Sequence, residues 1–265
     1  MGERSYIVAG GHQLEVERHR AQPRHGGAPR PVLVFLHEGL GCLAAWRDFP
    51  EALAAATGCD ALVYSRWGYG GSEAVSLPRP LTYMHDEAVT LAEVLEVCAV
   101  PRAIVIGHSD GASIAILHAG GGRAGGRVRG LILEAAHVFC EDLSVRSIAA
   151  IRTAYMEGDL RERLRKHHGD QVDGAFWGWN RAWLDPDFRH WNIESALPGI
   201  EVPVLVIQGE EDVYGSIAQI ESIEARCRGP VTRLLLPQCG HAPHKDQREP
   251  TLNAMAGFVS ASMGS

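Results

Sequence analysis

Lysine is nearly absent from this chain: Lys166 and Lys245 are the only two, and the formal net charge is −7. With no basic stripe to neutralise phosphates, the sequence argues against binding to a nucleic-acid backbone. No apolar run approaches the ~20 residues a membrane span requires. No apolar stretch follows a basic leader at the start, so no secretory signal is expected and the cytoplasm is the expected location. The six cysteines (Cys42, Cys59, Cys98, Cys140, Cys227 and Cys239) form no C-x-x-C pair and no zinc-like spacing, so reduced thiols are expected. No internal repeat is evident. What is present is a globular composition, 46% hydrophobic and 22% charged, in a chain long enough for one large α/β domain with an insertion.

Apolar runs alternate with helix-length segments. Residues 6–9 and 13–18 read as an antiparallel pair joined through Gly10-Gly11. The run Pro31-Val-Leu-Val-Phe-Leu-His37 is continuously apolar, as suits a strand buried on both faces of a parallel sheet. Residues 61–65, 103–106, 130–133, 202–207 and 232–236 repeat that character, with helices expected at 46–56, 83–98, 109–119, 217–227 and 250–262. In the second of these helices, Leu91, Val94, Leu95 and Cys98 lie at helical spacing and are expected to face the sheet. The pattern predicts an α/β fold, a mostly parallel, doubly wound sheet of about eight strands.

Two segments break the rhythm. The glycine-rich stretch 119–127 follows a helix instead of opening one, so it reads as a surface loop and not as a phosphate cradle. Residues 139–199 contain no convincing buried strand but do carry helical stretches at 142–156 and 160–168 and the aromatics Phe176, Trp177, Trp179, Trp183 and Trp191. The expected organisation is a core formed by 1–138 and 200–265, with 139–199 as a helical cap.

The strongest chemical signal is Gly107-His108-Ser109-Asp110-Gly111, with a buried strand in front and an apolar helix behind. A strand turning sharply into a helix holds a serine in strained geometry, and side chains two residues either way would collide. The serine then sits where free helix N–H groups favour developing negative charge.

With these residues the chain resembles the α/β-hydrolase superfamily over nearly its whole length. The resemblance rests on four landmarks in order: His37-Glu-Gly-Leu-Gly41, the turn at Ser109, Gln208-Gly-Glu-Glu-Asp212, and Cys239-Gly-His241. Arg66-Trp-Gly-Tyr-Gly-Gly-Ser72 matches a further turn of that family, with Ser65 where an Asp is frequent. The resemblance implies Ser109 as nucleophile, His241 as base and Asp212 as the acid behind it, with Glu134 as the rival acid and His244 as the rival histidine. It implies an oxyanion hole from the N–H groups of Asp110 and Gly39, or of Glu38 or Leu40 should the register slip by one. Glu38 departs from the usual His-Gly start and sets a second carboxylate beside Asp110. Both are expected to point outward, to pair with an arginine such as Arg66, or to bind a polar substrate group.

Glu38, Leu40, His137, Trp177, Trp179 and Trp183 are the expected substrate-binding residues, the tryptophans supplying an apolar wall. His241 and His244 form a His-x-x-His pair, but no further ligand at suitable spacing accompanies it, so neither metal nor cofactor is expected. The activity implied is hydrolysis of an ester, thioester or lactone of a small molecule through an acyl-enzyme. Carbon–carbon bond hydrolysis and a hydrolase-like ligand receptor are the alternatives. The expected partner is a small molecule, with no nucleic acid and no membrane; a homodimer is left open.

Overall fold

The computed structural model describes residues 2–21, 30–122 and 124–263. Arg123, inside the glycine-rich stretch, lies outside the described residues. An antiparallel pair, β1 (Glu3–Ala9) and β2 (His12–His19), opens the chain. It is followed by β3 (Val32–Leu36), α1 (Phe49–Thr57), β4 (Ala61–Tyr64), α2 (Tyr83–Val97), β5 (Ala103–His108), α3 (Asp110–Gly120) and β6 (Val128–Glu134). The helices α4 (Asp142–Glu157), α5 (Leu160–His168) and α6 (Val172–Trp183) then lead to β7 (Val204–Gly209), α7 (Ile217–Arg226), β8 (Val231–Leu236), α8 (Pro243–Asp246) and α9 (Arg248–Met263). The strands form one eight-stranded sheet in the order β1-β2-β4-β3-β5-β6-β7-β8, parallel from β4 to β8. This is the expected α/β fold. Among the described residues no helix is long and apolar enough to cross a membrane.

The continuous apolar strands serve two cores at once, because successive side chains point to opposite faces. Leu33, Phe35, Ile104, Ile106, Ile132 and Ile207 pack beneath α1 and α9, against Phe49, Leu53, Met255 and Val259. Val34, Leu36, Val105, Leu131, Leu133 and Val206 face the other way, into a layer that includes Leu91, Val94, Leu95 and Cys98. That second layer also takes in Ile148 of α4 and Trp179 and Trp183 of α6, so the helices between β6 and β7 are packed onto the body of the protein. Parallel strands all end at one edge, and there the turn after β3, the turn after β5 and the loops after β6, β7 and β8 meet.

Helix α2 offers a matched pair to test this layering. Leu91 is fully buried and Val89 is 42% exposed. Leu91→Ala is expected to cost about 2–5 kcal/mol in denaturant unfolding, and Val89→Ala less than about 0.5 kcal/mol. Equal losses would mean that α2 does not lie on the sheet as described.

Candidate active site

Ser109 stands between β5 and α3 with φ 54° and ψ −118°, a conformation costly for any residue with a side chain. The surroundings leave no alternative. A Cβ on Gly107 would sit 2.4 Å from the Gly111 carbonyl oxygen, and one on Gly111 would sit 2.2 Å from that of Leu36. Both obstacles are backbone, which cannot step aside. The Ser109 N–H donates to the Glu134 carbonyl (2.9 Å), and its own carbonyl accepts from Ala112 and Ser113. The hydroxyl is thereby held clear of the sheet edge.

Two ring nitrogens and a carboxylate continue from it. His241 Nε2 lies 2.9 Å from Ser109 Oγ, and His241 Nδ1 lies 2.9 and 2.8 Å from the two oxygens of Asp212. Burial works to raise the Asp212 pKa, but hydrogen bonds from His241 and from the Tyr214 N–H hold it below the ordinary carboxylate range. Gln208 Nε2 donates to the same carboxylate at 3.0 Å. An ionised Asp212 keeps the proton on Nδ1 and leaves Nε2 free to accept the serine proton.

Glu134, the rival acid, pairs elsewhere: its Oε2 lies 2.6 Å from His244 Nδ1, and both side chains are almost wholly buried. Trp46 and Phe49 pack on the His244 ring, which keeps this pair on the α1 side of the sheet. His108 stands between the two pairs and donates Nε2–H to the His241 carbonyl at 2.6 Å. His108, Glu134 and His244 are the one trio of metal-type ligands that converges among the described residues, with ligand atoms within 4.8 Å of one another. Glu134 Oε2 and His244 Nδ1 pair with each other there, while Glu134 Oε1 is buried without a hydrogen-bond partner.

The loop after β3 is built to aim a backbone N–H. His37 Nε2 accepts from the Arg66 N–H (3.0 Å), so its Nδ1–H donates to the Glu38 carbonyl (2.7 Å), which Arg66 Nη2 also reaches at 3.0 Å. A trans peptide points its N–H opposite to its carbonyl, so Gly39 N–H faces away from His37 and Arg66. Neither it nor the Asp110 N–H donates to a protein acceptor among the described residues. His168 of α5 accepts from the Gly70 N–H and donates to the Leu40 carbonyl, both at 3.0 Å. Trp179 leans so closely on Gly39 that an added Cβ would lie 2.0 Å from its Nε1.

The two carboxylates flanking this loop turn to different partners. Asp110 accepts from Tyr83 OH (2.5 Å) and Trp183 Nε1 (3.2 Å), with Arg66 at 4.0 Å. Burial raises its pKa against those three groups. Glu38 lies 3.9 Å from Lys245 and 3.6 Å from His108. Burial would raise Glu38, but His108 and Lys245 hold it well below the usual range.

A cavity of about 180 Å³ opens over Ser109. Of the residues expected from sequence, Glu38, Gly39, Leu40, Ser109, Asp110, His137, Trp179, Trp183 and His241 line it, and Asp212 stands behind His241. Trp177 does not. It packs edge-on against Tyr155 and Phe176, with Arg152 and Arg181 near its ring, because two residues along a helix carry a side chain to the opposite face. Trp191 stacks on Phe188 instead of entering the cavity. Sequence reasoning missed Tyr214, Ile148 and Ile151, which complete the lining. Tyr214 was within reach as a neighbour of Asp212, and the two isoleucines by their helical spacing on α4.

The family model described as the alpha/beta hydrolase family matches residues 33–254, and the chain belongs to that family. Solved structures similar to the chain include hydrolases of several kinds. A haloalkane dehalogenase from Bradyrhizobium elkani is 16% identical over 100% of this chain and 99% of its own, with TM-score 0.78. An esterase from Exiguobacterium antarcticum is 19% identical over 98% and 100%, with TM-score 0.75. A proline iminopeptidase from Mycobacterium smegmatis is 19% identical over 98% and 99%, with TM-score 0.74. At such identities the likeness shows the fold alone. No curated protein matches the chain.

Two outcomes test the geometry. Gly111→Ala forces its Cβ into the Leu36 carbonyl and is expected to destabilise by about 1–3 kcal/mol; an unchanged denaturation midpoint would refute the tight β5–α3 turn. Burial also lowers the pKa values of His37, His108, His137 and His168. The folded protein keeps these rings neutral while the unfolded chain takes up protons below its ordinary value of 6.5. Their contribution to stability is complete above that pH and is lost as pH falls toward each folded value, by up to about 1.4 kcal/mol per unit for each ring. Denaturant titrations should therefore be level from about pH 7.5 to about 6.5 and fall steadily from there to about pH 5, and a profile flat throughout would count against neutral burial.

Proposed function

We propose that the protein is a serine hydrolase that cleaves an ester, lactone or thioester of a small molecule. Ser109 is the nucleophile, His241 the general base and Asp212 the acid that orients it. The observation that carries this reading is the unbroken hydrogen-bonded chain from Asp212 through His241 to Ser109. The serine adds to the substrate carbonyl as His241 takes its proton. The oxyanion is met by the N–H groups of Gly39 and Asp110, and collapse expels the leaving group, which His241 protonates. Water activated by the same imidazole then releases the acid. Residues 139–199 act as the cap in this reading: Trp179, Trp183, Ile148 and Ile151 supply apolar wall, which suits a small, largely apolar acyl or alcohol group. A serine in place of an aspartate at the nucleophile position speaks against alkyl-halide displacement.

Ser109→Ala is expected to abolish turnover of short p-nitrophenyl esters and to prevent labelling by a fluorophosphonate. Labelling that persists in this variant would move the nucleophile elsewhere. Asp212→Asn should cost on the order of 10⁴-fold in kcat, as loss of the orienting acid does in this kind of triad, and Glu134→Gln far less. The reverse ranking would make Glu134 the acid.

A further inference from the structure

Among the polar side chains of the cavity wall, His137 is employed neither by the hydrogen-bonded chain nor as an oxyanion donor. It follows β6 and its position is tightly fixed. Ser113 Oγ donates to its carbonyl at 2.6 Å, and the next N–H, of Val138, donates to Gln219 Oε1 at 2.7 Å. The ring stands edge-on to Trp183 at 5.3 Å and tilted to the His241 ring at 5.8 Å. Gly215 closes the Cε1 side, where an added Cβ would lie 3.3 Å away.

Yet the imidazole makes no hydrogen bond among the described residues. Nδ1 is buried without a partner, and the residue as a whole is 2% exposed. A buried polar group left idle costs stability. A rigid ring at a cavity wall is the place where a ligand atom can remove that cost.

We propose that His137 determines specificity by hydrogen-bonding a hydroxyl group of the substrate, so that small hydroxylated esters or lactones are preferred over their plain counterparts. The proposal rests on the serine hydrolase reading and narrows its substrate class. Three observations select a neutral hydroxyl. Burial pushes the His137 pKa down to about 3, so the ring offers a dipole and no charge. No protein contact fixes which nitrogen carries the proton, and a hydroxyl, which both donates and accepts, satisfies either form. The carboxylates of Glu38 and Asp110 belong to residues lining the same cavity, with no cationic residue among the lining, which disfavours an anionic substituent.

The test compares ester pairs that differ by one hydroxyl. On the acyl side these are p-nitrophenyl butanoate against its α- and β-hydroxy forms; on the alcohol side, propyl against hydroxypropyl butanoate. Wild type is expected to favour the hydroxylated member of at least one pair by roughly tenfold in kcat/KM, the size of one net hydrogen bond. That ratio should collapse toward parity in His137→Leu and be largely restored in His137→Gln, which again offers donor and acceptor. A wild-type ratio near one in every pair overturns the proposal without any variant, and so does a preference that survives in folded His137→Leu. Should the leucine variant not fold, a glutamine variant with the wild-type preference and an asparagine variant without it would support the same role, since reach alone separates them. Equal ratios in those two would overturn it. Failure of the underlying reading looks different: wild type then neither turns over any ester nor takes a fluorophosphonate at Ser109.

Discussion

A serine held at φ 54° cannot be maintained by its own turn; it has to be imposed by what surrounds it. Strand β5 is the middle of the parallel sheet, with β3 on one side and β6 on the other, and both neighbours press on the turn that follows. The Leu36 carbonyl limits Gly111, and the Glu134 carbonyl takes the Ser109 N–H. The same two strands then supply the loops that face the hydroxyl, the Gly39 loop from β3 and His137 after β6. The strain at Ser109 and the assembly of the cavity are thus two results of one strand order.

Behind that turn the protein buries charge. Arg66 and Asp110 are almost wholly enclosed, 4.0 Å apart, and Arg79 pairs with Glu87 at 3.0 Å in the same region. Buried ion pairs seldom add net stability, since desolvation consumes the Coulombic gain. Here their effect is positional. Arg66 reaches the Glu38 carbonyl and thereby orients the Gly39 peptide, while Asp110, tied to Tyr83 and Trp183, has little freedom to move its own backbone N–H. Trp183 belongs to α6, so the helices between β6 and β7 are fastened to the residue that follows the proposed nucleophile.

Two carboxylate–imidazole pairs stand within one small region, Asp212–His241 and Glu134–His244. Residue type and chain order alone left Glu134 as a rival. What separates them is the side of the sheet each occupies: His244 is covered by Trp46 and Phe49, whereas His241 opens to the cavity. His108 joins them through the His241 carbonyl, a contact between residues far apart in the chain that no local pattern announces.

The sequence by itself determined the α/β class and the position of nearly every strand, because a parallel sheet covered on both faces writes continuous apolar runs between helical periods. It also determined the Gly-x-Ser-x-Gly turn, because sterics allow little else beside such a serine. The tertiary structure alone decided which way side chains face across the cavity. Trp177 and Trp179 look alike in sequence, and the rotation of α6 sends one outward and the other onto Gly39. Glu38 and Asp110 are both acidic and adjacent to the site, yet one turns to Lys245 and the other to Arg66. Such choices depend on partners brought in from distant strands and helices. The same holds for His137: nothing in its sequence neighbourhood marks it, and its Nδ1 is idle only because the folded wall leaves it without a partner.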